Sequence, residues 1–173
     1  MRVIAGSARG RRLRGPDGRA TRPITDRAKE GIFNMLGSLG GVDGMVVADL
    51  WAGSGSFGIE ALSRGAERAI FVERGREALA CLRDNLATLG FDDRATVVPG
   101  SVLTAAPTLD HVDLAFCDPP YADDPWTELF GVVRADLVVG HAERPVPLPV
   151  GWDELRRRDY GRARIVIAER APS

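Results

Sequence analysis

The sequence predicts an α/β domain: a mostly parallel, seven-stranded sheet with helices on both faces, carrying a small basic N-terminal hairpin. Three observations lead there. From Met45 onward, short apolar runs alternate with amphipathic stretches of helical period, as strand–helix–strand units require. A glycine loop stands between the first of those runs and the next helix. The chain has 173 residues, 45% hydrophobic and 27% charged, enough for one buried core.

Residues 1–22 read as a basic appendage and residues 23–173 as the main domain. In the appendage, Val3-Ile4-Ala5 suggests a short strand, Gly6 to Gly10 a turn, and Arg11 to Arg14 a returning strand. A helix capped by Thr25 or Asp26 follows, with Ile32, Phe33, Leu36 and Leu39 on one face and Gly40-Gly41 as its stop. Met45–Leu50 is a buried strand broken only by Asp49. A short helix runs through Ile59, Ala61 and Leu62, before a second strand at Ala69–Val72. Glu77–Leu89 is a helix with Leu79, Leu82 and Leu86 on one side and Gly90 as its stop. Further strands are expected at Ala95–Val98, Val112–Cys117, Leu137–Gly140, Leu155–Tyr160 and Arg164–Ala168, with a short helix over Trp126–Val133.

Composition narrows the function. No apolar run approaches the roughly 20 residues that cross a bilayer, and the first residues carry no signal-peptide pattern. Cys81 and Cys117 are too few for a disulfide framework or a zinc site and read as buried, reduced thiols. Net charge is -1, yet Arg2, Arg9, Arg11, Arg12, Arg14, Arg19 and Arg22 face a single nearby acid, Asp17. Such a cluster can hold phosphates, or it can be a solvated arm. His111 and His141 read as structural or exposed, Asp123-Asp124 as a helix start, and Trp126 and Trp152 as packing residues.

Asp49-Leu50-Trp51-Ala52-Gly53-Ser54-Gly55-Ser56-Phe57-Gly58 carries the spacing G-x-G-x-x-G directly after a strand. Glycines there let backbone approach a ligand and turn into a helix. Glu73 ends the next strand, where a carboxylate can accept from ribose hydroxyls. These residues describe a nucleoside-cofactor site, open to NAD, FAD or S-adenosylmethionine. Asp49 leans the choice toward S-adenosylmethionine, because a carboxylate suits a methionine ammonium and opposes a pyrophosphate. It can equally bond the loop itself.

Asp118-Pro119-Pro120-Tyr121 follows the fourth strand. An exocyclic base amine is a poor nucleophile, since its lone pair is delocalised into the ring. The Asp118 carboxylate and the Pro119 carbonyl can accept both amine hydrogens and direct the lone pair toward a methyl donor. The prolines stiffen the loop. Tyr121 offers a stacking face for an unpaired base, worth ~1–3 kcal/mol. A carboxylate also suits guanine, whose N1–H and N2 amine donate side by side, better than adenine, whose N1 accepts.

With these motifs, the chain resembles the RsmD-type methyltransferases. The resemblance runs through Arg2-Val3-Ile4-Ala5-Gly6, Arg9-Gly10-Arg11-Arg12-Leu13, Arg22-Pro23-Ile24-Thr25-Asp26-Arg27, Ile32 to Leu36, the loop Asp49 to Gly58, Glu60 to Ala66, Glu73, Asn85-Leu86 and Asp118 to Tyr121. It implies a class I, Rossmann-like methyltransferase fold with S-adenosylmethionine as methyl donor. The implied reaction methylates the N2 amine of a guanine in 16S ribosomal RNA, within an assembling or assembled small subunit. Asp49, Ala52, Gly53, Ser54, Gly55, Glu73, Ser101 and Val102 are then the cofactor residues, and Asp118, Pro119 and Tyr121 the catalytic ones. The resemblance likewise implies that Arg9, Arg11, Arg12, Arg14 and Arg22 of the N-terminal segment contact the RNA. Four features depart from the family pattern: Trp51 replaces a smaller aromatic, Ser101 replaces an amide or acid that binds the adenine amine, the stretch between Tyr121 and the fifth strand is several residues shorter, and Tyr160-Gly161-Arg162-Ala163 lacks the acidic-then-Thr pair usual after Tyr-Gly. A cytoplasmic monomer without metal is expected. Other base-amine methyltransferases of RNA or DNA, a NAD-dependent oxidoreductase, and an RNA-binding ribosome assembly factor without turnover remain alternatives at this point.

Overall fold

Strands buried on both faces must present apolar side chains alternately to two helical layers, and this rule locates the site. A computed structural model describes residues 1–16, 24–120 and 123–172. Its strands are β1 (Val46–Leu50), β2 (Arg68–Glu73), β3 (Ala95–Pro99), β4 (Val112–Cys117), β5 (Ala135–Ala142), β6 (Trp152–Tyr160) and β7 (Ala163–Arg170). They form one seven-stranded sheet in the order β3-β2-β1-β4-β5-β7-β6. Pairing is parallel from β3 to β5, while β7 runs antiparallel to both β5 and β6. The helices are α1 (Asp26–Gly37), α2 (Ser56–Ser63), α3 (Arg76–Leu89), α4 (Val102–Ala105) and α5 (Trp126–Val132).

One core lies under α1, α2 and α3 and takes Val47, Phe71, Phe116 and Val139 from the sheet. The other lies under α4 and α5 and takes Ala48, Leu50, Val72, Ala115 and Val138. Side chains alternate along a strand. Asp49, Glu73, Asp118 and His141 each stand two residues beyond a member of the first core, so the alternation brings all four to its side of the sheet. All four stand at or next to the carboxyl ends of their strands. Strand order reverses between β1 and β4, where such sheets open a crevice.

From residue 24 onward the expected elements are present, with boundary differences of physical origin, whereas the short strands expected at residues 3–5 and 11–14 are reduced to a single bridge between Arg2 and Arg12. Helix α1 is capped by the Thr25 side chain, which accepts from the Ala28 N–H. It stops at Gly37, ahead of the expected glycine pair, and the Gly41 N–H closes the end by donating to the Leu36 carbonyl at 2.9 Å. Helix α3 ends where expected, at Gly90, whose φ of 69° only glycine adopts readily. Strand β5 is longer than its apolar run because β4 pairs with its start at Ala135 and β7 pairs with Leu137 to Ala142.

The N-terminal segment forms a minimal hairpin, with one antiparallel bridge between Arg2 and Arg12. Val3, Ala8 and Leu13 are buried and join the first core. The turn docks on α2: the Ser7 N–H donates to the Ser63 carbonyl at 2.7 Å and the Ala8 N–H to the Ser63 hydroxyl at 2.9 Å. Gly6 makes this approach possible, since its φ is 84° and a methyl group there would collide with the Ser63 carbonyl. Gly6→Ala is therefore expected to cost about 1–3 kcal/mol. Urea unfolding measures this, and an unchanged midpoint would contradict the close packing.

Candidate functional site

The glycine loop turns sharply out of β1. Trp51, with φ of 61°, is the residue other than glycine held at positive φ among the described residues. Such strain persists only where surrounding structure enforces it. Here the Ala52 N–H donates to the Val72 carbonyl at 3.0 Å, and the Gly55 N–H to the Ala52 carbonyl at 2.8 Å. Gly55, at φ 85°, then starts α2.

Glu73 fixes this loop from the neighbouring strand. One carboxylate oxygen accepts from the Gly53 N–H at 2.8 Å, and the other from the Arg74 and Gly75 N–H groups at 2.8 and 2.7 Å. A carboxylate has about four lone-pair sites, so acceptor capacity remains for hydroxyl groups while its orientation is set by backbone. Asp49 is buried beneath the loop, and its Oδ2 accepts from the Gly58 N–H at 2.8 Å. Its Oδ1 is a buried oxygen without a hydrogen-bond partner among the described residues. Burial pushes the Asp49 carboxyl up to about 8; the Gly58 N–H opposes the shift, and the charge of Asp118 adds to it.

A cavity of about 480 Å³ opens at this point, a size suited to a nucleoside. Trp51, Ala52, Gly53, Ser54, Glu73 and Asp118 are among the residues that line it. Asp49 and Gly55 lie behind the loop, and Ser101 and Val102 lie just past β3; none of these four forms its wall. The Gly100 N–H donates to the Glu73 carbonyl at 2.9 Å, which places the Ser101–Val102 turn beside Glu73. Phe57 lines the cavity and stacks on Phe116, ring centroids 5.2 Å apart and planes 8° apart. Asp118 is thereby set two residues beyond a rigid aromatic pair.

Several contributors were not recognised in the sequence. Met1, Gly15, Pro16 and Ile24 form part of the cavity wall, so the N-terminal segment reaches the site. Asn85 ties that segment to the glycine loop: its Oδ1 accepts from the Arg14 N–H at 2.8 Å, and its Nδ2 donates to the Arg14 and Ser54 carbonyls at 2.9 and 3.0 Å. His141, set aside earlier as structural or exposed, is buried, with Nδ1 2.7 Å from Asp118 Oδ1. His111 is a surface residue 3.1 Å from Asp136. Tyr121 and Arg22 lie outside the described residues.

Arg9, Arg11, Arg12 and Arg14 are all exposed. The Arg11 guanidinium donates to the Thr88 carbonyl at 3.2 Å and Arg14 pairs with Asp84 at 2.9 Å, which rests this basic edge on α3. No group of ligating side chains suited to a metal occurs among the described residues, and no described helix is long and apolar enough to cross a membrane.

Residues 1–169 match the protein family described as conserved hypothetical protein 95. The chain belongs to this family, the RsmD family. Ribosomal RNA small subunit methyltransferase D of Escherichia coli (strain K12), a relative of this RsmD-family chain, is 39% identical over 180 residues, covering 98% of this chain and 90% of that one. YlbH of Bacillus subtilis (strain 168) is 37% identical over 181 residues, covering 96% and 97%. The solved structure of yhhF from Escherichia coli superposes with a TM-score of 0.87 at 31% identity, covering 100% of this chain and 99% of that one. Sp1610 from Streptococcus pneumoniae, solved with S-adenosyl-L-methionine, shares the fold alone, with a TM-score of 0.70 at 13% identity over 87% and 75% of the two chains. The fold of the RsmD-family chain is thus the Rossmann-like fold of S-adenosylmethionine-dependent methyltransferases.

Proposed function

We propose that this chain transfers a methyl group from S-adenosylmethionine to the exocyclic N2 amine of a guanine in 16S ribosomal RNA, acting in the cytoplasm on an assembling or assembled small subunit. The observation that carries this reading is the opening of Asp118 onto the cavity walled by Gly53 and Glu73. An amine-holding carboxylate and a nucleoside-holding one therefore share one space. The names of the relatives support ribosomal RNA as substrate.

The residues fit the cofactor. Glu73 is suited to the ribose hydroxyls, the backbone of Ala52, Gly53, Ser54 and Gly55 to close approach, and Ser101 and Val102 to the adenine edge. Asp49 Oδ1, buried and without a partner among the described residues, is suited to the methionine ammonium. When bound, the group supplies a methyl carbon made electrophilic by a sulfonium. Asp118 and the Pro119 carbonyl accept the amine hydrogens, which restores nucleophilic character to the nitrogen. The nitrogen lone pair would take up the methyl group, the sulfur of the donor would be the leaving group, and Asp118 or water would accept the surplus amine proton. Tyr121 stacks on the extruded base, and Arg9, Arg11, Arg12, Arg14 and Arg22 hold RNA phosphates.

Asp49 makes cofactor binding depend on pH. Its raised folded value means that the proton held below pH 8 stabilises the unliganded fold, a contribution lost as pH rises from about 4 toward 8. An ammonium placed beside it favours the ionised form. Affinity for S-adenosylmethionine is therefore expected to rise with pH up to about 8, with a proton released on binding. Calorimetry in two buffers of different ionisation heat measures that proton, and Asp49→Asn should abolish it. Binding without proton release at pH 7 would remove Asp49 from this role.

The function is tested with labelled S-adenosylmethionine and small subunits lacking their normal methylations, followed by digestion to nucleosides and identification by mass. Label in N2-methylguanosine is the expected result. Label on adenine alone would overturn the guanine assignment. Cofactor binding without label on any RNA or DNA would point to an assembly factor.

A further inference from the structure

We propose that His141 is a positioning residue for the Asp118 carboxylate, fixing which of its oxygens meets the substrate amine. This rests on the methyl-transfer function proposed above. Strands β4 and β5 pair in parallel with Cys117 opposite Gly140. The next pair along that register is Asp118 and His141. Both continue the row formed by Phe116 and Val139, which are themselves opposite each other and belong to the first core. The 2.7 Å contact thus joins the first residue past β4 to a residue of β5, one step beyond the last paired residues of the two strands.

The two side chains differ in exposure: 3% for His141 and 27% for Asp118. The histidine is behind, and the carboxylate is toward the cavity that Asp118 lines. A carboxylate oxygen only accepts, so the imidazole carries a proton on Nδ1 and donates it to Oδ1. That bond stops rotation of the carboxylate about its last torsion. Among the described residues, Oδ2 receives no hydrogen bond, and it becomes the oxygen that takes the first amine hydrogen. Oδ1 keeps one lone pair, the one able to accept a guanine N1–H beside it. His141 therefore orients the pair of acceptors on which discrimination of guanine depends, without touching substrate.

A donor at the Nδ1 position is what the role needs. Asparagine supplies its Nδ2 at nearly the same distance from the backbone, whereas leucine fills the volume with no donor. His141→Leu is expected to lower kcat about 10²-fold with KM for the RNA and affinity for S-adenosylmethionine within about 2-fold, the loss typical of a misplaced reacting group. His141→Asn is expected to recover kcat to within about 5-fold of the native protein. A residue that merely packed would show the opposite order, with leucine the better replacement. Imidazole nitrogen NMR gives a readout independent of turnover and of the stability of His141→Leu, and the chain has only two histidines to assign. His141 should carry its proton on Nδ1 in the native protein and shift toward the other tautomer in Asp118→Ala. Full kcat in a folded His141→Leu protein, or an unprotonated Nδ1 facing Asp118 in the native protein, would overturn the proposal. Absence of methyl transfer by the native protein would instead count against the function above, while the NMR result would still decide the Asp118–His141 bond.

Discussion

Asp118→Ala is expected to lower kcat by about 10³-fold while leaving S-adenosylmethionine affinity within about 2-fold, since preorganised charge and orientation at the reacting atom are together worth losses of that order. The split follows from where Asp118 stands. It lines the cavity, yet the glycine loop is held by Glu73 through bonds from the Gly53, Arg74 and Gly75 N–H groups that do not involve it. Its removal also subtracts a negative charge that helps keep the Asp49 proton in place, so the alanine variant should bind cofactor with less proton release. Asp118→Asn is the sharper version. The amide keeps the shape but offers one acceptor in place of two, so substrate binding should survive where turnover does not. Single-turnover label transfer with saturating cofactor checks both variants. Turnover within about 10-fold of the native rate would exclude Asp118 as the group that directs the amine.

The second large effect concerns stability. Glu60 is fully buried in α2 and collects four donors: the Ile4 and Ala5 N–H groups at 2.7 and 3.0 Å, the Arg64 guanidinium at 2.8 Å and the Lys29 ammonium at 3.4 Å. Lys29 is itself 1% exposed and donates to the Arg2 carbonyl at 2.7 Å and to the Ser56 hydroxyl at 3.2 Å. Burial pushes this lysine below the usual ammonium range, and the Glu60 carboxylate opposes that. Glu60→Ala leaves a buried cation and two backbone donors without their acceptor, which is expected to destabilise the fold by about 3–5 kcal/mol. The double variant Glu60→Ala with Lys29→Met removes the unpaired charge and should recover a substantial part of that loss. Denaturant titration of the native, single and double variants measures this, and a single-variant loss under about 1 kcal/mol would show that the cluster is not coupled. The same change should release the N-terminal hairpin from α2, so proteolysis near Arg9 to Arg12 gives a second measure.

Sheet and helices were legible where burial is two-sided. Met45–Leu50 and Val112–Cys117 announce central strands because both faces are covered, and the Asp49 and Asp118 motifs sit at their ends. Strand β6 was harder to read: Asp153, Glu154, Arg156, Arg157, Arg158 and Asp159 form an exposed edge, and an edge strand does not need an apolar row. Helix α4, four residues long, is too short to carry a period. Of the residues that line the cavity, those carried by one sequence motif were readable: Gly53, Glu73 and Asp118. What depends on pairing between distant segments was not. His141 lies 23 residues from Asp118, and only the β4–β5 register joins them. Glu60 looks like an ordinary surface acid of a short helix until the hairpin covers it. A sole lysine among 23 basic residues was the available hint that position 29 is special.

The three tryptophans are distributed unevenly with respect to the cavity. Trp126 and Trp152 are buried on the far side of the sheet, where both rings contact Phe130. Trp51 is partly exposed and forms part of the cavity wall, on a loop held at positive φ. The molecule therefore carries an intrinsic optical reporter: two indoles emit from buried positions away from the cavity, one of them beneath the Arg170 guanidinium, and the third senses whatever enters the cavity. Ligand occupancy can be followed by emission intensity and wavelength without attaching a dye, and the strained loop is the part of the molecule from which that signal arises.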